Sequence, residues 1–355
     1  GAPCIIVADI DRGGVFAQII GTYHLMSDDE RDLTIGFLIN KFRGDPELFA
    51  DGIRYIEKTT GKPVLGLVPY YEDIYIGTED SVAVQRDKRI SRKPGPDTVN
   101  VAVVCLPAIS NFTDFETLER ESDVVVSYLD YPDQLTEQFD CLILPGTKNV
   151  IAAALWLKKH GWQMKIVEFA KKQKYVVGIC GGYQLLGLEI KDPLMLESTF
   201  QKAQGLGLLP LQTYLAKEKI VRKVIGHSHL FDCPIQGYEI HMGVTEPIQQ
   251  NGQKFAHLQE EGKEKAWEDG WVSNDGYIFG TYVHGLFDSP YLRTEMLNRI
   301  RKTKGLKLKA PALGSESDMK LKQYDRLADH FEAHCDVERI FRLAGITGVH
   351  SPVAR

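Results

Sequence analysis

Val177-Gly178-Ile179-Cys180-Gly181-Gly182-Tyr183-Gln184 decides how this chain is read. An apolar run, Tyr175 to Ile179, ends in Gly-x-Cys-Gly-Gly, and a helix-like segment from Tyr183 to Leu188 follows. A strand, a tight turn and a helix in that order make the cysteine form of a nucleophile elbow. Small residues must flank the nucleophile, because the turn brings the strand and helix backbones together. Gly178, Gly181 and Gly182 meet that demand, which a merely structural cysteine would not impose. The sulfur is pushed out beyond the sheet edge, the next N–H points at a developing oxyanion, and a helix N-terminus behind Cys180 favours its thiolate.

A thiol nucleophile needs a base. His284 stands at the end of an apolar run, Gly276 to Val283, and directly before Gly285. That is a usual position for a functional side chain in an α/β sheet. His241, in Gly237-Tyr238-Glu239-Ile240-His241-Met242-Gly243, competes for the role. Leu144-Pro145-Gly146-Thr147-Lys148-Asn149 follows the strand-like Cys141 to Leu144, and its backbone amides suit the second half of an oxyanion hole. Further strands are expected at Val99–Leu106 and Val124–Tyr128, then at Lys219–Ile225 and Tyr238–His241, where the chain turns β-rich. A helix is expected over Lys320–Leu343, with Tyr324, Leu327, Phe331 and Cys335 on one face.

The first 80 or so residues alternate strand and helix: Cys4–Ala8, Val15–Leu25, Thr34–Asn40, Leu48–Lys58 and Pro63–Val68. This rhythm predicts a parallel sheet. Asp9, Asp11 and Arg12 follow the first strand and precede Gly13-Gly14. Carboxylates at the carboxyl end of a parallel strand, before a glycine turn, suit Mg²⁺–phosphate chemistry. Asn40-Lys41-Phe42-Arg43-Gly44-Asp45 forms a second polar loop at the same edge, where ligands bind in such sheets. The phosphate-cradling G-x-x-x-x-G-K-[ST] occurs nowhere. Residues 86–97, RDKRISRKPGPD, are basic and rich in proline, and read as a linker. The expected division is a first α/β part at 1–85, a linker at 86–96 and a second α/β domain at 97–350.

Composition sets the limits. With 355 residues, 43% hydrophobic and 25% charged, the chain is globular, and disordered or fibrous classes are excluded. A net charge of −6 argues against nucleic acid as partner. The six cysteines include no C-x-x-C pair, which suits neither a disulfide framework nor zinc and points to a reducing compartment, the cytoplasm. No apolar run reaches the roughly 20 residues that cross a bilayer.

At these residues the chain closely resembles the cobyric acid synthase family, glutamine-dependent amidotransferases of cobalamin biosynthesis. ADIDRGGVFA, INKFRGD, SNFTDF, LPGTKN, GICGGYQLLG, GLGLLP, GYEIHMG, GTYVHGLFD and YDRLADHF all look like that family's blocks, in its order. The resemblance implies a class I glutamine amidotransferase domain of flavodoxin-like α/β fold. Cys180 would attack the glutamine side-chain amide, His284 would move the proton, and amides of Gly181 and Gly146 would hold the oxyanion. It also implies part of a dethiobiotin-synthetase-like P-loop domain that uses Mg-ATP. The substrate would be a corrinoid, adenosylcobyrinic acid a,c-diamide, amidated at its b, d, e and g carboxylates. By position, Asp9, Asp11 and Arg12 would serve Mg-ATP or substrate, Asn40 would lie near the nucleotide, and Asn111 and Asp114 near the glutamine cleft.

Two departures stand out. Many class I amidotransferases place a Glu two residues after the histidine to orient it, and here that residue is Leu286. The arrangement is therefore a Cys–His dyad or draws its acid from elsewhere, with Glu239 and Asp288 as candidates. The family's phosphate loop lies upstream of the point where this chain starts, so a truncated chain unable to bind ATP normally is expected. Such a cut exposes edge groups and apolar surface, and oligomers are then possible. The competing readings are a sister amidotransferase, acting on the a,c-carboxylates or on a cell-wall precursor, a cysteine hydrolase without a synthetase partner, and a non-catalytic remnant. The DIDRGGVFA block argues against the first, and the Asp9, Asp11 and INKFRGD cluster against the second.

Overall fold

A computed structural model describes residues 1–71, 93–249, 251–311 and 316–346 of the chain. Most of the expected linker, and residues 72–85 of the expected first domain, lie outside the described residues. The described chain forms two compact units, one from residues 1–71 with 316–346, the other from 93–249 with 251–311.

The first unit holds three parallel strands, β1 (Cys4–Asp9), β2 (Thr34–Phe42) and β3 (Val64–Pro69), in that order. The helices Val15–Leu25 and Ala50–Thr60 connect them. Phe37 and Ile39 of β2 are fully buried and pack with Ile19, Tyr23 and Ile56, as a central strand between helices requires. Gly61 ends the second helix in the left-handed conformation (φ +70°) that a Cβ would disfavour.

The expected domain limits place residues 316–346 in the second unit, and the structure corrects this. The helices Glu316–His334 and Val337–Leu343 belong to the first unit. Cys335 forms a β-bridge with Gly66, the Asp336 N–H donates to Leu65 O at 2.8 Å, and His330 Nε2 donates to Pro69 O at 3.0 Å. Gly66 permits this approach, since a Cβ there would sit 2.7 Å from the Cys335 sulfur. The single helix read from periodicity is broken because Asp336 caps the second piece, accepting from the Arg339 N–H at 3.0 Å.

The second unit is built on a six-stranded sheet. Its strands are β4 (Val99–Val104), β5 (Val124–Leu129), β6 (Cys141–Leu144), β7 (Tyr175–Ile179), β14 (Trp271–Val272) and β15 (Ile278–Thr281), in the order β14-β15-β7-β6-β4-β5. All neighbours are parallel except the edge strand β14. β4, β6 and β7 are buried along their whole length, which explains why they read as unbroken apolar runs.

A second, mainly antiparallel sheet stands beside it. It comprises β8 (Glu189–Lys191), β9 (Lys202–Gln204), β10 (Leu211–Ser228), β11 (Cys233–Pro247), β12 (Ala256–Glu260), β13 (Ala266–Asp269) and β16 (Val283–His284). The short strands expected around 219–225 and 238–241 are segments of the two long strands β10 and β11. The run Gly276–Val283, expected as one strand, is split at Tyr282, where the chain passes from the first sheet to the second.

Candidate active site

Every group of the site stands at the carboxyl edge of adjacent parallel strands, the place where open α/β sheets bind ligands. The loop after β4 carries Asp114, the loop after β6 carries Gly146, β7 runs into Cys180, and β15 leads through Tyr282 to His284. Cys180 holds φ +51° and ψ −108°, a conformation rare for a side-chain-bearing residue and a source of local strain. The elbow is packed so closely that a Cβ on Gly182 would overlap the Leu144 carbonyl oxygen. One on Gly178 would lie 2.6 Å from Gly182 O. The helix after the cysteine, Gly181–Leu186, is short.

The Cys180 thiol donates to Ile240 O at 3.5 Å, and the sulfur lies close enough to His284 to help raise the pKa of its ring. His284 Nδ1 donates to Asp114 Oδ2 at 2.8 Å, and the Gly285 N–H donates to Asp114 Oδ1 at 2.7 Å. Both side chains of this pair are 1% exposed. With Nδ1–H held by the carboxylate, Nε2 is the ring atom left for the sulfur. Burial alone would lower the His284 pKa. The Asp114 charge and hydrogen bond, then Cys180, outweigh it and raise the ring to about 10.

The acid that orients His284 is thus Asp114. Glu239 and Asp288, expected as candidates for that role, are placed elsewhere. Glu239 is buried against Arg222, whose Nε donates to it at 2.5 Å, and the Arg222 guanidinium lies 3.4 Å over the Trp267 ring. Asp288 closes the turn after His284 with its own N–H on Gly285 O at 3.0 Å. His241 stacks on Tyr282 with ring centroids 3.7 Å apart, and its Nδ1 donates to Gly243 O at 2.8 Å. Burial lowers its pKa to about 4, so it is neutral at pH 7, while the carboxylate partner belongs to His284.

The two glycines implied for the oxyanion hole come together. A Cβ on Gly181 would lie 2.9 Å from Thr147 N, and one on Gly146 would lie 3.0 Å from His284 Cε1. The Gly146 loop is held by the Ser110 N–H, which donates to Gly146 O at 2.9 Å. Asn111, at φ +57°, donates from Nδ2 to Tyr238 Oη at 3.1 Å, and the Tyr238 ring stacks on His284 at 5.3 Å. Sequence reasoning missed Tyr238, although it stands inside the GYEIHMG block. It also missed Thr281, inside the GTYVHGLFD block, and Asp269, for which no local pattern exists.

In the first unit, β1 and β2 align Asp9 with Asn40 at the carboxyl edge. The two carboxylates expected to serve magnesium are held here by side-chain cations. Lys41 Nζ donates to Asp9 Oδ2 at 2.7 Å, with Arg12 Nε at 3.7 Å, and Arg43 Nε donates to Asp11 Oδ1 at 3.2 Å. Burial pushes the Asp9 carboxyl up, but Lys41, the Asp11 N–H and Arg12 hold it below its usual range. Asn40 accepts the Lys41 N–H at 2.8 Å. Both carboxylates are therefore turned to side-chain cations, and among the described residues no group of three or more acidic, histidine or cysteine side chains could hold a metal. Among them, too, no helix is long and apolar enough to cross a membrane.

Residues 100–292 match the CobB/CobQ-like glutamine amidotransferase domain. The chain is 44% identical over 354 residues to the cobyric acid synthase of Syntrophobacter fumaroxidans, covering 97% of this chain and 69% of that protein. It is 40% identical to that of Chlorobium phaeobacteroides strain BS1, covering 97% and 68%. To that of Moorella thermoacetica it is 39% identical, covering 99% and 68%. The chain thus spans about two thirds of the length of these relatives. A buried Cys–His–Asp constellation on an elbow, inside a matching amidotransferase domain and with relatives of this identity over nearly its whole length, shows that the chain belongs to the cobyric acid synthase family of glutamine amidotransferases.

Proposed function

We propose that the second unit releases ammonia from glutamine at Cys180, with His284 as base and Asp114 as its orienting acid. The observation that carries this reading is the strained Cys180 beside His284, whose Nδ1 is held by a buried carboxylate. In the reactive pair the thiol proton already sits on His284 Nε2, and the sulfur attacks the amide carbon. N–H groups of Gly181 and Gly146 take the oxyanion. His284 then gives its proton to the leaving nitrogen, the C–N bond breaks, and ammonia departs from a thioester that water hydrolyses to glutamate. Part of the raised His284 pKa comes from Cys180 itself. Once the sulfur is acylated that part is lost, so the ring becomes a better acid when the proton is needed.

The ammonia would then serve amide formation on a corrinoid: the b, d, e and g carboxylates of adenosylcobyrinic acid a,c-diamide, activated by ATP. Family membership supports this half of the reaction. The first unit's carboxylates are paired with cations, so no step is built on a magnesium ion there. A glutaminase assay tests the first half: Cys180→Ser should lose hydrolysis by several orders of magnitude, and full retention refutes the nucleophile. Amide formation from glutamine, ATP and the a,c-diamide, measured on the protein as it occurs in the cell, tests the second. Intact glutamine hydrolysis with no amidation of that substrate points instead to a sister enzyme.

A further inference from the structure

The strand that delivers His284 changes sheets on the way. β15 pairs with β7, setting Thr281 opposite Ile179, and two residues later β16 pairs with β11, setting His284 opposite Tyr238. At such a switch the backbone N–H groups leave one ladder before they join the next. Buried N–H groups left without partners cost about 1–3 kcal/mol each, so something must take them up. Asp269, the last residue of β13, does so. Its carboxylate accepts the Thr281 hydroxyl, and it accepts the Tyr282 N–H at 3.3 Å. Thr281 Oγ1 in turn accepts the Val283 N–H at 3.0 Å, and Thr281 O accepts the Cys180 N–H at 2.8 Å. Thr281 is fully buried and Asp269 is 5% exposed, so water does not offer an easy substitute. The side-chain pair therefore holds the Tyr282 and Val283 amides just before the base, on a strand whose Thr281 carbonyl accepts the N–H of the nucleophile.

We propose that Asp269 and Thr281 are a positioning pair, which sets His284 against Cys180 by fixing the strand switch at Tyr282. The pair touches neither reacting atom. The proposal rests on the reading of Cys180 and His284 as nucleophile and base. Without the pair, the Tyr282 and Val283 amides must find other partners, and the local shift this requires moves His284. A misplacement of about 1 Å at a catalytic group is worth on the order of a hundredfold in rate.

The test compares Thr281→Val, which keeps the shape and removes the hydroxyl, with Thr281→Ser, which keeps the hydroxyl, and with Asp269→Asn. The readouts are kcat and KM for glutamine hydrolysis and the rate at which a chloroketone analogue of glutamine alkylates Cys180. Thr281→Val should lower kcat by about 10- to 100-fold, leave the glutamine KM within about twofold, and slow alkylation in parallel. Thr281→Ser should restore kcat to within about threefold, and Asp269→Asn should fall between. If Asp269→Asn does not fold, the two Thr281 variants decide. A Thr281→Val enzyme at the wild-type rate overturns the proposal, as does a Thr281→Ser enzyme impaired as badly as Thr281→Val. A rise in KM with kcat unchanged does the same. Cys180→Ala separates the two levels: if it still hydrolyses glutamine, nucleophile and positioning pair fall together. If it is inactive while Thr281→Val is fully active, only the positioning pair falls.

Discussion

Changing Asp114 to Asn alters one charged oxygen into an amide nitrogen without changing shape, and the site has no room to absorb the difference. In the wild type, both carboxylate oxygens accept a proton-bearing nitrogen, His284 Nδ1 at 2.8 Å and Gly285 N at 2.7 Å, and both side chains are 1% exposed. An amide keeps only one acceptor. If its oxygen faces His284, its NH₂ confronts the Gly285 N–H, which leaves a buried donor unsatisfied at about 1–3 kcal/mol. If it turns round, the NH₂ donates to Nδ1 and the ring must carry its proton on Nε2. That tautomer cannot accept the proton of Cys180. The second arrangement satisfies all donors and is the one expected. In a serine-protease triad the same substitution lowers kcat by about 10⁴-fold, roughly 5.5 kcal/mol at about 1.36 kcal/mol per tenfold. We expect a loss on the order of 10³- to 10⁴-fold here, with the glutamine KM within about threefold. The assay is ammonia release from glutamine across pH, alongside denaturant unfolding to confirm the fold. A folded Asp114→Asn enzyme within tenfold of the wild-type kcat refutes the assignment of Asp114 as orienting acid.

Three other outcomes follow from the geometry. Because Cys180 holds a positive φ that costs a non-glycine residue about 1–3 kcal/mol, Cys180→Gly should be more stable than Cys180→Ala by about 1 kcal/mol, the reverse of the usual order, and urea midpoints of the two inactive variants read this directly. Gly182→Ala forces a methyl into the Leu144 carbonyl, so it should destabilise the unit by more than about 3 kcal/mol, and a normal melting temperature would count against the elbow packing. His284 has its pKa raised from 6.5 to about 10, so its proton is held more tightly when folded. Its stabilising contribution is then fully present below about pH 6.5 and lost as pH rises through about 10. The stability difference between wild type and His284→Gln should shrink over that range, and a difference that grows with pH would contradict it.

The elbow was legible because its chemistry is local. A buried strand, flanking glycines and a following helix must be neighbours in the chain, so Cys180 and its turn could be read directly, as could the βαβ rhythm of the first unit. His284 was legible as the better candidate, though the residues alone favoured it only modestly over His241, since both end apolar segments. Their partners separate them: one ring is raised by an adjacent carboxylate, the other is stacked on Tyr282 and kept neutral.

What only the tertiary structure decided are the partners brought in from afar. Asp114 meets His284 across 170 residues because β4 and β15 end at the same edge of one sheet, and periodicity tells which face a residue takes but not which loops converge. The same limit hid the return of residues 316–346 to the first unit, where Gly66 makes space for Cys335. It hid Asp269 as well, whose place beside Thr281 follows from the strand leaving one sheet for another. The sequence by itself determined the family and pointed to Cys180 as the nucleophile, because both rest on short contiguous patterns. The contacts of Asp114 with His284 and of Asp269 with Thr281 are set by sheet order, a long-range property that no contiguous stretch of residues encodes.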